Sequence, residues 1–192
     1  VTMPERLIED VVRQAALSIL ETGREMDEWD QAPFMTLVAR RGDDPVCIPV
    51  TIPESTWLEA HPADVLTGLT FGVSKGLLKF QLGEPISTAD VCGVILFTEG
   101  HGVDSDELTE AQKVTLDDFQ KRHRLEHHPK ARELRMANII DRSLTQAMIR
   151  HFRGKPVDDK VIYNITGRVP LTLERFVTAL FASWMGDAAK TP

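Results

Sequence analysis

Glu99 and His101 stand together at the end of the most apolar stretch of the chain, Val91-Cys92-Gly93-Val94-Ile95-Leu96-Phe97-Thr98. A carboxylate two residues from an imidazole can hold a metal ion or pass a proton. Gly100 and Gly102 flank His101 and let a substrate approach the backbone. No further ligand follows at metal-site spacing, so a competing reading is a strand-to-loop turn in which Glu99 caps an amide or pairs with an arginine. His123 and His127 are four apart and would share a helix face, as paired zinc ligands do. However, Arg124 stands where a zincin motif needs glutamate, and Pro129 ends any helix two residues past His127. His128 points away from His127. The deubiquitinase-like metalloproteases put a glutamate on a strand before a histidine pair, but their His-x-His pair and spaced aspartate are absent.

The third candidate is electrostatic. Asp104 to Asp118 holds six acids and one lysine, whereas Lys121 to Arg135 holds six bases and two acids. Lys121, Arg122, Arg124, Lys130, Arg132 and Arg135 can grip phosphates or an acidic partner. No aromatic residue interleaves them for base stacking, so nucleic acid is disfavoured. Pairing with residues 104–118, inside the chain or across a dimer, is the plainer use. There is no nucleophile elbow, Walker loop, dinucleotide fingerprint or Cys-x-x-Cys.

The elements that must position these groups follow from periodicity. Leu7, Ile8, Val11, Val12, Ala15, Ala16, Ile19 and Leu20 form a helical stripe over 4–22, with Thr2 and Glu5 spaced as a capping box and Gly23 as a stop. Short apolar runs at 34–40 and 46–52 flank Arg41-Gly42-Asp43-Asp44 as a hairpin, and Pro45 and Pro49 put the second strand at an edge. Residues 53–58 make a helical turn and 63–75 a helix, with Gly68, Gly72 and Gly76 as one smooth packing face. Residues 77–82 read as a short strand. The run 91–98 lacks alternation and belongs at the centre of a sheet, covered on both faces. A solvated helix is expected near 109–124. Residues 132–153 fit either a helix or two strands turning at Asp141–Thr145. A short strand at 161–165 and an amphipathic helix at 170–185, ended by Gly186, complete the chain.

Three stretches resemble a group of uncharacterised actinobacterial and actinobacteriophage proteins. They are Gly93 to Glu99, Glu133 to Gly154 around an aspartate-arginine turn, and Gly167-Arg168-Val169-Pro170 before a last helix. The resemblance spans about half the chain. It implies a hairpin at 132–153, although the turn carries Ser143-Leu144 where the group has glycine. It implies no activity and no site residue.

The 192 residues carry 22 basic and 29 acidic side chains, a net charge of −7, and are 42% hydrophobic. That length sustains a core without disulfides or metal. No apolar run is long enough to span a bilayer. Cys47 and Cys92 read as free buried thiols of a reducing cytosol. The leading Val1 suggests a literally translated GTG start in a high-GC bacterium or phage, with no signal peptide.

The expectation is one α+β domain, 1–192. Its mainly antiparallel sheet has five or six strands (34–40, 46–52, 91–98, 133–141, 146–153, with 161–165). N-terminal, middle and C-terminal helices cover it, and 103–131 is a charged connector. The expected core is Val11, Ala15, Ile19, Leu37, Ile48, Leu66, Leu69, Val94, Leu96, Phe176, Leu180 and Trp184. Without a complete catalytic set, the leading expectation is a non-enzymatic cytosolic protein that binds a protein partner or itself, with no cofactor and no membrane. The alternatives are a metal-dependent hydrolase centred on Glu99 and His101, and a small-ligand binder using the loop after 91–98.

Overall fold

The computed structural model describes residues 7–188 except 28, 43, 81, 84, 105–106, 111, 113–115, 117–124, 164 and 166. Six strands form one antiparallel sheet in the order β2-β1-β3-β4-β5-β6. They are β1 (Phe34–Arg41), β2 (Asp44–Val50), β3 (Val91–Gly102), β4 (Arg132–Asp141), β5 (Gln146–Phe152) and β6 (Ile162–Tyr163). Helix α1 (Asp10–Met26) crosses one face; α3 (Pro62–Ser74) and α4 (Arg168–Ala188) pack together on the other, with α2 (Glu54–Glu59) leading into α3.

The central place of β3 follows from its sequence. Alternate residues serve opposite cores: Val94 and Leu96 pack with Leu66, Phe176 and Leu180, whereas Ile95 and Phe97 pack with Val12, Ala16 and Leu20 of α1. A strand buried on both faces has no reason to alternate. Helix α1 comes close because Gly93 has no side chain; a Cβ there would lie 2.9 Å from Ile140 O and from both Val12 methyls. The proline-bearing β2 is an edge strand, as its missing amides require.

Several expectations need correction. Helix α1 runs through Gly23 to Met26, because an isolated glycine lowers helix stability without ending a helix. The capping box at Thr2 and Glu5 lies outside the described residues. Residues 77–82 form no strand where described. Instead, Gly76 (φ 68°) ends α3, with Gly76 N and Leu77 N donating to Val73 O and Gly72 O. This is a glycine C-cap of the Schellman kind. The missing side chain of Gly72 admits Leu78, whose Cδ1 would lie 2.5 Å from a Cβ. Most of the helix expected near 109–124 lies outside the described residues.

Residues 132–153 are a hairpin, not a helix. Asp141 Oδ1 accepts from Ser143 N and Thr145 N, both at 2.9 Å, and Leu144 takes the left-handed conformation (φ 63°) in the turn. Ile19, Ile48, Leu69 and Trp184 line the cores only part-buried. Cys47 is exposed and Cys92 buried. Among the described residues no helix is long and apolar enough to cross a membrane.

Candidate functional site

The α1 face of the sheet is a stack of cross-strand rows. Ile95, Ile139 and Ala147 form one, and Phe97, Ala137 and Ile149 the next, all beneath α1. One step further the same pleat carries Glu99, Arg135 and His151, and the step after that pairs His101 with Glu133. Successive side chains on one face are two residues apart, so the register alone gathers these polar groups. Strand β3 continues to Gly102; Glu99 and His101 therefore sit on a strand, not in a loop.

Arg135 is wholly buried. Its Nε donates to Glu99 Oε1 at 2.7 Å, and Glu99 Oε2 accepts from Gln31 N at 3.0 Å. Both oxygens of the candidate base are thus engaged. The indole of Trp29 lies over the guanidinium, 4.1 Å from ring centroid to Cζ, a cation–π distance. Arg135 fits beneath α1 because of Gly23, where a Cβ would meet Nη1 at 3.0 Å. Yet Nη1 and Nη2 are buried without a hydrogen-bond partner among the described residues. Such donors are costly to leave unmade.

His151 completes the row, 2% exposed. Its Nε2 lies 2.9 Å from Lys155 O. A carbonyl only accepts, so Nε2 carries the proton and Nδ1 presents a lone pair. Nδ1 too is buried without a partner. Burial holds the imidazole below its ordinary value of 6.5; the hydrogen bond to Lys155 opposes this and the Arg135 charge adds to it. The Trp29 ring also lies 5.8 Å from the imidazole.

Trp29 belongs to the connector between α1 and β1. Asp27 (φ 49°) and Asp30 (φ 66°) bracket it in left-handed conformations, which aspartate tolerates better than most residues. Trp29 Nε1 donates to Asp27 Oδ1 at 3.3 Å. A cleft opens on each side of the indole. One, about 280 Å³, is lined by Asp30, Gln31, Glu99, Gly100, His101 and Glu133. The other, about 370 Å³, is lined by Arg24, Asp27, His151, Gly154, Lys155 and Pro156.

The remaining sequence candidates are placed as follows. His101 is exposed and lines the first cleft. His127 is exposed in a short 3-10 turn (Leu125–His127), 3.6 Å from its neighbour Glu126. His123, Lys121, Arg122 and Arg124 lie outside the described residues. Among the described residues no three His, Cys, Asp or Glu side chains converge as a metal site would need. Lys130 Nζ donates to Glu107 O at 2.7 Å, and Arg132 lies 3.4 Å from the Glu107 carboxylate. Here the acidic and basic segments meet within the chain. Lys155 joins them, bonding Asp104 at 3.0 Å and Glu107 at 2.5 Å and holding the Glu107 carboxyl below its ordinary range. Arg135 is no part of an exposed basic surface. The Cys92 thiol is pushed up to about 11, chiefly by burial, which makes it a poor nucleophile.

His151 and the central role of Trp29 were not among the sequence candidates. Arg135 falls on the alternation of Ala137 and Ile139, which places it inside once the segment is a strand; His151 follows Ile149 in the same way. Fold and site together define an α+β domain with six antiparallel strands and a tryptophan-capped polar row on one face. No family model, curated protein or solved structure matches the chain.

Proposed function

We propose that the chain is a non-enzymatic binding protein whose working site is the polar row under Trp29, filled by a small ligand. The observation that carries this reading is Arg135: fully buried, charged, and with both terminal nitrogens unpartnered among the described residues. A guanidinium is a planar fork that matches a carboxylate bidentately, and the terminal pair of this fork is left open. The clefts on either side of Trp29, one lined by Glu99 and the other by His151, provide volume beside the row, and both Glu99 oxygens already accept hydrogen bonds, which disfavours Glu99 as a general base. The free cysteines support a reducing cytosol as the compartment.

A protein-contact reading also has its own support. Phe71 (60% exposed) and Leu77 (71% exposed) stand at the end of α3 without cover, the kind of surface that docks a partner. Native mass spectrometry of protein purified without chelator, followed by thermal melting with the sub-kilodalton fraction of a bacterial extract, tests the first reading. A retained small molecule or a raised Tm supports it, since ligand bound only to the native state stabilises that state. An unliganded mass and an unmoved Tm, with Phe71→Glu dissolving a dimer, would transfer the function to the α3 surface.

A further inference from the structure

Resting on the small-ligand reading, we propose that the site under Trp29 binds a zwitterion of the free amino acid class, with its carboxylate on Arg135 Nη1 and Nη2 and its ammonium facing His151 Nδ1. Three buried atoms of this row that have no hydrogen-bond partner among the described residues define the complement. Two are donors on one guanidinium and one is an acceptor on the imidazole next to it in the sheet register. A planar fork suits a carboxylate, and a neutral imidazole nitrogen needs an N–H or O–H donor.

Charge sharpens the choice. Arg135 and Glu99 already balance each other. At the rim, Arg24 pairs with Glu21 and Arg153 with Glu133, while Lys155 is held by Asp104 and Glu107, which Arg150 and Arg132 also balance. Asp27 and Asp30 add two more carboxylates beside Trp29. A net anion would meet this acidic rim, and polyphosphates would meet it worst. A net cation would meet Arg135. A dipolar ligand of no net charge satisfies both ends without leaving a buried charge unbalanced. The neutral state of His151 at pH 7 agrees with its acceptor role.

Arg135 lines neither cleft and the indole covers its guanidinium, so a carboxylate reaches Nη1 and Nη2 only when the indole lifts. The left-handed residues Asp27 and Asp30 on either side are where the connector would turn, and the two clefts give the ligand's side chain a place on either side of the ring.

Isothermal titration at pH 7.5 with each of the twenty protein amino acids, acetate, methylammonium and inorganic phosphate is the test. The expected result is one-to-one binding of at least one amino acid, with acetate and methylammonium at least tenfold weaker. Binding should be lost in His151→Phe and weakened at least tenfold in Trp29→Ala, both checked for native circular dichroism. Acetate or phosphate binding as tightly as any amino acid would overturn the zwitterion while keeping a small-ligand site. Unchanged binding in both variants would place the ligand elsewhere and overturn the assignment. If no amino acid binds, the proposal falls. If the extract also yields no ligand, the small-ligand reading falls with it.

Discussion

The two ends of the α1 face are built on the same strands in the same register, and they solve opposite problems. Under α1, the rows from Ile95 and Phe97 across to Ala147 and Ile149 are apolar and covered by Val12, Ala16 and Leu20. Beyond Gly23 the next row is Glu99, Arg135 and His151, covered by a single indole. The apolar half gains by excluding water and tolerates no unused space. The polar half keeps three buried atoms without hydrogen-bond partners among the described residues, each of which calls for an explanation that packing does not supply. The change comes where the last turns of α1 and the connector after them replace the packed helix, so cover passes from a rigid element to a loop.

That contrast is most sharply tested by Arg135→Met. Removing the guanidinium leaves Glu99 nearly buried and uncompensated, and losing one partner of a buried pair typically costs about 3–5 kcal/mol. Urea unfolding should show a loss of that order. Adding Glu99→Leu should recover a large part of it, because the pair is then replaced by apolar groups. If the double variant is no more stable than Arg135→Met, the row is not an isolated ionic unit. The apolar half should break differently. Gly93→Ala forces a Cβ against Ile140 O and Val12, an overpacking worth about 1–3 kcal/mol. Val12→Ala in the same chain should relieve part of that cost.

The same contrast explains what was legible in the sequence. Helices α1 and α4 are visible in their apolar spacing and β3 in its unbroken apolar run, whereas periodicity left 132–153 open between a helix and the hairpin that forms. The edge position of β2 is visible in Pro45 and Pro49. Glu99 was legible as a functional candidate because it ends an apolar run, and an arginine was a named alternative partner. The identity of that arginine was not, because Glu99 and Arg135 meet through the β3–β4 register, and register is a long-range property. Arg135 was misplaced for a related reason. It lies at the end of a run of basic residues that reads as surface, yet the pleat it shares with Ala137 and Ile139 turns it inward. Residues 77–82 misled through composition: Leu78 packs back on Gly72 of the glycine-capped helix and Leu82 against the core, while Leu77 stays exposed, and none of them pairs in the sheet.

The polar half should also carry a pH signature that the apolar half lacks. His151 has a folded pKa below the 6.5 of the exposed group. The unfolded chain therefore binds a proton first as pH falls. Stability contributed by the neutral buried imidazole is fully present above about 6.5 and is lost as pH drops from there through the folded value. Carboxylates such as Glu107, with lowered values, weaken the fold only at more acid pH. Urea midpoints across pH 5 to 8 should fall on the acid side in the native chain and flatten in His151→Phe. An identical slope in the variant would assign the dependence to other groups.

The smallest effect expected is the most diagnostic of why α1 yields to the polar row where it does. Gly23 lies inside α1, where replacing glycine by alanine normally stabilises a helix by about 1 kcal/mol. Here the new Cβ would stand 3.0 Å from Arg135 Nη1 and 3.4 Å from Cζ. A buried guanidinium fixed by Glu99 on one side and Trp29 above can give way only by weakening one of those contacts. Gly23→Ala should therefore leave the urea midpoint unchanged or slightly lower, against its propensity. In the Arg135→Met background the obstacle becomes a flexible thioether, and the ordinary gain should return. A gain in both backgrounds would mean that the guanidinium moves freely beneath α1, and the glycine would then have no role in seating it.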